Sequence, residues 1–418
     1  MTQSPKAQFK RWLTAPPRPH GAVDKERTVS NLELFYDLAY VAVIAQSAHH
    51  LAEHVDLVGF VEFAIVFGML WFAWFNGSLY IELHGREDGR TRLLVFLQMG
   101  ILVVLAVFTG GATGSAGPQF ALVYAAFLAL MGWAWYAVRQ LDRVERPEFL
   151  RITFFYVSGM AVSTVVVAAT ALLPEPWRLG VWAVFVSGWV IFLSLGSLAS
   201  GRLAEGILPT DSLVERFGLF TIIVLGEVVL GVVTGLSGGA HDALTITTGL
   251  LALVVGFGLW WIYFDLVGRR LPRAGRGTIW TWMLSHLPIQ LSIASAGAAI
   301  VSLVEHAHDP TTPLATGLLL GGSVAAGLLA LIVTERSLED AVRLETVYGP
   351  LGRVLAIGAA VALLAGWLAP APWVLALLLI GVLTALWFFV VARMIRAGAW
   401  GASTAPAREA SEAAAPST

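Results

Sequence analysis

Two acidic residues and a tyrosine share one face of an apolar segment near the start of the chain. Glu33 and Asp37 lie four residues apart, and Tyr40 follows within the next helical turn, so all three side chains would share one face of an α-helix. A charged residue at the centre of a bilayer costs about 2.5–3.5 kcal/mol and therefore needs a partner or a purpose. Two stacked carboxylates could share a proton or bind a cation. Alternatively, they could pair with arginines at the membrane surface and fix the register of the helix.

A further acidic residue, Glu227, lies deep inside another apolar segment, 214–235. Arg216 precedes it by eleven residues, about three helical turns, on the same face. Gly231 and Thr234 continue this face and make it small and polar, which suits close packing or a cavity. Glu227 is the strongest single candidate for a proton-carrying group. The alternative is a protonated glutamic acid that hydrogen-bonds to a neighbouring helix.

A histidine also lies within an apolar segment, 279–304. His286 and Gln290 share a helix face, and Pro288 between them leaves backbone carbonyls that must find another partner. Because histidine titrates near neutral pH, His286 is a candidate proton relay. A hydrogen-bonded structural histidine fits the pattern equally well.

The composition is that of a membrane protein. Of the 418 residues, 57% are hydrophobic and 13% are charged, about half the charged fraction of a soluble protein, and the mean hydropathy is +0.76. These values exclude a disordered protein, a nucleic-acid-binding protein and an ordinary cytosolic enzyme. The net charge of −2 gives no indication of a polyanionic partner. The absence of cysteine excludes disulfides, thiolate metal sites and cysteine nucleophiles.

Twelve apolar stretches are long enough to cross a membrane, since a spanning helix needs about 20 residues for a hydrocarbon core of about 30 Å. The sequence therefore predicts an all-α, polytopic transmembrane bundle. The stretches lie near residues 32–50, 57–81, 92–110, 119–138, 152–173, 177–200, 214–235, 243–267, 279–304, 313–334, 351–369 and 373–395.

The distribution of lysine and arginine predicts the orientation of the spans. With the N-terminus inside, 25 of the 26 cationic residues fall in segments predicted to be cytoplasmic, and only Arg178 falls outside. We therefore expect a multi-pass protein of the cell membrane with both termini cytoplasmic and the lipid bilayer as its main partner. Residues 1–30 are predicted to form a basic arm near the anionic inner leaflet, and residues 399–418 a disordered cytoplasmic tail.

The two halves of the chain resemble each other, and four matches occur in the same order at separations of 188 to 196 residues. Chance similarity between apolar helices is the alternative. The matches pair Asp37 with Glu227, Trp71–Asn76 with Trp260–Asp265, Gln98 with His286, and Pro174–Trp177 with Pro370–Trp373. They predict two parallel six-helix repeats, residues 31–200 and 201–398, with a polar site at their interface.

This organisation is typical of secondary transporters, so we expect a proton- or ion-linked transporter of an unidentified small solute. The alternatives are a non-transporting membrane-stress, lipid-interacting or assembly protein whose buried acids are structural, and, less favoured, a metal-dependent enzyme at the outer face. No catalytic residue, metal ligand or cofactor is predicted, and a homo-oligomer is left open. The predicted substrate- or ion-binding residues are Glu33, Asp37, Tyr40, Asn76, Gln98, Arg216, Glu227, Asp265 and His286.

One motif argues for the enzyme. His50, Glu53 and His54 match the H-x-x-E-H pattern of one class of zinc peptidases, with both histidines on one helix face. A catalytic zinc needs a third ligand, which the sequence does not place. The other interpretations are an outer metal-binding patch and polar residues that simply end a helix.

Two segments carry a family resemblance. Residues 33–41 (Glu-Leu-Phe-Tyr-Asp-Leu-Ala-Tyr-Val) resemble the N-terminal signature of the bacterial low-temperature-requirement A membrane family, and residues 213–227 resemble its second signature. Residues 260–265 and 286–288 also fit. Tyr36 stands where the family pattern has phenylalanine, which adds a hydroxyl. The resemblance covers nearly the whole chain and implies a membrane location, but it implies little about mechanism.

Overall fold

The computed structural model describes residues 4–22, 27–200, 209–275 and 277–398. Throughout these ranges the protein is a bundle of α-helices without β-strands, as predicted; one isolated bridge pairs Pro272 with Leu338. The predicted disordered tail, 399–418, lies outside the described residues. So do parts of the predicted arm, residues 1–3 and 23–26, and the predicted start of the second repeat, residues 201–208.

The helices are numbered in chain order. The first half holds α1 (Pro5–Thr14), α2 (Asn31–Glu53), α3 (Leu57–His84), α4 (Gly89–Thr109), α5 (Gly117–Glu145), α6 (Leu150–Ala169) and α7 (Trp177–Ser200). The second half holds α8 (Asp211–Gly238), α9 (Ala243–Leu266), α10 (Thr278–Glu305), α11 (Leu314–Arg336), α12 (Asp340–Arg343), α13 (Glu345–Leu368) and α14 (Pro372–Arg396).

Among the described residues, eleven helices are long and apolar enough to cross a membrane. They correspond to eleven of the twelve predicted spans and confirm a polytopic bundle. The remaining predicted span is α2, a helix of 23 residues. Its hydropathy is lower because it carries Glu33, Asp37 and, near its end, His49 and His50. These acids are buried against protein, since α2 packs between α3, α4, α8 and α10.

Local sequence signals set where many of the helices begin. The first backbone N–H groups of a helix lack intrahelical partners, and a short polar side chain can accept from one of them. Five helices begin in this way, with the capping residues Ser30, Asp56, Asp88, Thr210 and Asp242. At Ser30 the cap is reciprocal, because Glu33 also accepts from the backbone N–H of Ser30.

The helices of the two halves have matching neighbours. Helix α2 packs on α4 as α8 packs on α10, α5 packs on α6 as α11 packs on α13, and α3 packs on α7 as α9 packs on α14. A duplicated six-helix unit requires this correspondence. The division into repeats 31–200 and 201–398 stays a prediction.

Glycines let the backbones of α8 and α10 contact each other where the two helices cross. A Cβ atom on Gly231 would lie 2.2 Å from the carbonyl oxygen of Gly297, and one on Gly297 would lie 2.6 Å from the backbone of Glu227. Gly231 of the small face predicted on α8 is therefore a packing residue, whereas Thr234, the other residue of that face, is exposed.

The loops gather at two opposite ends of the bundle. We call the end with the starts of α2 and α8 and the loop 85–88 the arginine-rich end; here the Arg18 N–H donates to the His84 carbonyl at 3.0 Å. The opposite end, with loops 54–56, 239–242 and 306–313, is the histidine-bearing end. Which end faces the cytoplasm stays a prediction.

Candidate functional site

A buried arginine from the second half lies between the two carboxylates of α2. Arg216 of α8 forms an ion pair with Glu33, and its Nη2 lies 3.4 Å from Oδ1 of Asp37. All three side chains are buried, and Arg216 has no exposed surface. A charge removed from water is stable only when it is paired and hydrogen-bonded. This contact therefore links the two halves of the chain through their charges.

Two further charged residues extend this contact. Arg27 Nη2 lies 2.5 Å from Glu33 Oε1, and Arg27 Nη1 pairs with Glu82 at the end of α3. The hydroxyls of Thr210 and Ser212, at the start of α8, each donate to Glu82 Oε1 at 2.8 Å. We call Arg27, Glu33, Asp37, Glu82 and Arg216 the ion-pair cluster.

The ion-pair cluster contains three carboxyl groups and two guanidinium groups. If every group is ionised, one negative charge is left over, and a proton or a bound cation would balance it. Asp37 is the most weakly held of the three acids. Its Oδ1 accepts from Trp74 Nε1 at 3.0 Å, while its buried Oδ2 has no hydrogen-bond partner among the described residues.

A polar layer continues from the cluster along α2. The hydroxyls of Tyr36 and Tyr40 are 3.0 Å apart, and the guanidinium carbon of Arg216 lies 5.8 Å from the centre of the Tyr36 ring. Gly77 leaves room for the Tyr36 hydroxyl and the Gln98 side-chain oxygen, since both would lie within 3 Å of a Cβ at that position. Tyr40 and Gln98 therefore lie in the same layer. Both are next to Tyr36, the residue that departs from the family pattern.

His286 lies apart from the cluster, with both ring nitrogens occupied. Its Nδ1–H donates to the carbonyl of Trp282 at 2.7 Å, and its Nε2 accepts from the Tyr263 hydroxyl at 3.1 Å. Gln290, one turn further along α10, accepts from Trp71 of α3 at 2.6 Å and so joins the halves. This arrangement fits the structural interpretation of the histidine.

Glu227 is buried, with 5% of its surface exposed, at the crossing of α8 and α10. In the described ranges its carboxyl group makes neither an ion pair nor a hydrogen bond. The predicted alternative, a hydrogen bond to a neighbouring helix, is therefore not seen there.

Asn76 and Asp265 each accept a hydrogen bond within their own half. Asn76 Oδ1 accepts from Trp135 Nε1 and Asp265 Oδ2 from Trp387 Nε1, both at 3.0 Å. Of the nine predicted site residues, the structure thus brings together Glu33, Asp37, Tyr40, Gln98 and Arg216. It leaves Asn76, Glu227, Asp265 and His286 at other places in the bundle.

The family model described as bacterial low temperature requirement A protein (LtrA) matches residues 28–386. The chain belongs to the LtrA family. An uncharacterized protein of Rhizobium meliloti (strain 1021) is 28% identical over 248 residues, which cover 56% of this chain and 57% of that relative. The match therefore spans little more than half of each protein.

In this LtrA protein the two signature segments meet at the ion-pair cluster. Residues 33–41 supply Glu33 and Asp37, and residues 213–227 supply Arg216. Sequence reasoning instead linked Arg216 to Glu227, which lies on the same helix but three turns away.

Several cluster residues were not predicted. Glu82 lies one residue beyond the predicted span 57–81, and Arg27 counted only as one of many cationic residues in the arm. Arginines close to a membrane surface are common, so only the folded structure distinguishes Arg27 from its neighbours.

A cavity of about 890 Å³ opens beside the cluster at the arginine-rich end. Glu33 and Arg27 form part of its wall, together with Arg18, Arg86 and Arg92. Glu33 can therefore be reached through this cavity without crossing the packed core.

Proposed function

We propose that this LtrA protein is a proton- or ion-linked transporter of a small solute, with the ion-pair cluster as its coupling site. The observation that carries the proposal is the position of Arg216, which is fully buried and is paired with acids of the other half. A carrier of two similar halves needs a polar site at their interface. Arg216, Glu33 and Asp37 provide one.

The charge count of the cluster supports coupling to a cation or proton. Asp37 has one unpartnered oxygen and lies farther from Arg216 than Glu33 does. Binding of a proton or small cation at Asp37 would balance the third carboxylate and weaken its attraction to Arg216. Arg216 would then be held by Glu33 alone, and the contact between the halves would change with the bound ion.

The cavity supports access for a solute. The cavity reaches Glu33. Oε1 of Glu33 contacts both Arg27 and Ser30, the residue that precedes α2. A solute that contacts Glu33 would therefore compete with its ion pair to Arg216, which joins the halves. This competition is how solute binding and ion binding would be linked.

A thermal-shift screen of purified protein in detergent tests the proposal. The screen covers ions and small metabolites, with Asp37→Asn beside the wild type and Asp142→Asn, a buried acid bonded to His20 at 3.0 Å, as the matched control. We expect at least one compound to stabilise the wild type and Asp142→Asn but not Asp37→Asn, by about 2.7 kcal/mol at 100 times its Kd. Equal stabilisation of all three proteins would contradict a binding role for Asp37.

A structural role for the buried acids is the second candidate. Glu33 accepts from Ser30 Oγ at 2.9 Å and takes part in the reciprocal cap that begins α2. This observation favours a non-transporting membrane-stress, lipid-interacting or assembly protein. In that case Asp37→Asn would also lower stability, and no compound would distinguish Asp37→Asn from the wild type.

A further inference from the structure

Two histidines and a glutamate cluster at the histidine-bearing end. His50 and Glu53 lie on the last turn of α2 and His54 directly follows it, and their ligand atoms lie within 4.8 Å of one another. Oε1 of Glu53 also lies 3.3 Å from Nε2 of the exposed His49. Glu62, on the second turn of α3, faces His50: its Oε2 lies 3.5 Å from His50 Nε2. The next helix thus places a carboxylate beside one histidine of the H-x-x-E-H motif.

The separation of His50 and Glu62 matches that of two ligands on one metal ion. Zinc binds histidine nitrogen and carboxylate oxygen at about 2.0–2.1 Å with tetrahedral angles, which places neighbouring ligand atoms about 3.3 Å apart. The observed 3.5 Å between His50 Nε2 and Glu62 Oε2 needs almost no adjustment. Thr113 Oγ1 lies 3.3 Å from the same nitrogen and is a polar neighbour from the loop before α5.

A hydrogen bond holds the ring of His54 in the tautomer whose Nε2 is free to bind a metal. Its Nδ1 lies 3.1 Å from the carbonyl oxygen of His50, and because a carbonyl only accepts, Nδ1 carries the proton. The lone pair is then on Nε2. A ligand histidine usually donates its other N–H to a carbonyl or carboxylate in this way.

A second histidine–acid pair at the same end offers fewer possible metal ligands. His308 Nε2 lies 2.5 Å from Asp242 Oδ2, but Asp242 Oδ1 already accepts from the backbone N–H of Thr245. That hydrogen bond lowers the pKa of Asp242, and one histidine with one capping carboxylate is too few donors for a metal.

We propose that His50, Glu53, His54 and Glu62 bind one divalent first-row metal ion, with Zn²⁺ as the preferred ion. Two imidazoles favour zinc over magnesium or calcium. With Glu62 as the fourth ligand beside His50, the tetrahedral shell would be filled and no position would be left for a reacting water, so the proposed site is structural. The ion would fasten the end of α2 to α3, and thereby hold the helix that carries Glu33 and Asp37.

Zinc binding to the purified full-length protein tests this site, with metal removed beforehand and affinity measured by competition with a zinc indicator. We expect one Zn²⁺ per chain in the wild type, at least about 100-fold weaker binding in His50→Ala and Glu62→Gln, and unchanged binding in His308→Ala. Excess Mg²⁺ should not displace the zinc. Zinc should raise the melting temperature of the wild type and leave that of Glu62→Gln unchanged.

Three results would overturn the proposal. The first is a wild type that binds no zinc, and the second is full affinity in both His50→Ala and Glu62→Gln. The third is a loss of binding in His308→Ala equal to that in His50→Ala, which would indicate surface histidines acting without a site. Glu62→Gln is nearly isosteric and half-buried, so it keeps the test valid if His50→Ala fails to fold.

Discussion

Arg216 and Glu33, 183 residues apart in the sequence, form a buried ion pair that joins α8 of the second half to α2 of the first. Each also lies in one of the two family signature segments. The pair connects the halves next to a cavity that is lined in part by Glu33.

Removal of the arginine should destabilise the protein strongly. Arg216→Gln leaves Glu33 and Asp37 buried without their shared cation, which typically costs about 3–5 kcal/mol. We expect a large fall in the melting temperature in detergent. The matched control is Arg343→Gln, which breaks an exposed pair with Glu339 and should cost less than about 1 kcal/mol. Equal effects of the two substitutions would refute the central role of Arg216.

The two carboxylates of α2 should respond differently to neutralisation. Asp37→Asn keeps an oxygen for Trp74 Nε1 and leaves two acids facing two arginines, so the free energy of unfolding should change by less than about 1 kcal/mol. Glu33→Gln weakens the contacts to both Arg27 and Arg216 and should cost about 3 kcal/mol. Melting curves of the two variants, recorded in parallel, check this order. A larger loss in Asp37→Asn would mean that the charge count of the cluster is misassigned.

Glu227 offers a test of function separate from stability. Its carboxyl has no hydrogen-bond partner in the described part of the chain, so Glu227→Gln should leave the melting temperature within about 2 °C of the wild type, since a small change in free energy moves it little. If transport falls in this variant while the melting temperature holds, Glu227 carries protons. A marked fall in melting temperature would instead assign it a structural role.

Two glycines of α8 should differ sharply in their tolerance of a methyl group. At Gly231 a Cβ would meet the carbonyl oxygen of Gly297 at 2.2 Å, whereas at Gly226 nothing lies within 4 Å. Gly231→Ala must separate α8 from α10, and overpacking of this kind costs about 1–3 kcal/mol. Gly226→Ala should be neutral or slightly stabilising, because alanine favours the helix. Similar melting temperatures for both variants would contradict the close crossing.

The sequence predicts the helices well because their signals are local. Twenty apolar residues are enough to identify a span, and the four-residue spacing of Glu33 and Asp37 is enough to place them on one face. Of the predicted spans, only α2 falls below the composition of a span, because it carries polar residues that include Glu33 and Asp37; these two acids are buried against protein.

The pairing of side chains depends on how distant helices pack, and the sequence contains no local signal for it. Arg216 shares a helix face with Glu227, yet its ionic partners are on α2. Glu82 belongs to the cluster although it lies just past the predicted end of its span. Likewise, the H-x-x-E-H motif could not reveal Glu62, since that residue meets His50 only after α2 and α3 fold against each other.

Ion movement through the Arg216–Asp37 site, which we propose, is tested most directly by proton or cation flux into proteoliposomes. The proteoliposomes contain an ion-sensitive dye, and flux is driven by an imposed gradient in the presence of any compound found by the thermal-shift screen. We predict flux for the wild type and for Asp142→Asn, and at least a tenfold loss for Asp37→Asn with its fold intact. Equal flux in Asp37→Asn and the wild type, or no flux in any of the three proteins, would contradict the account.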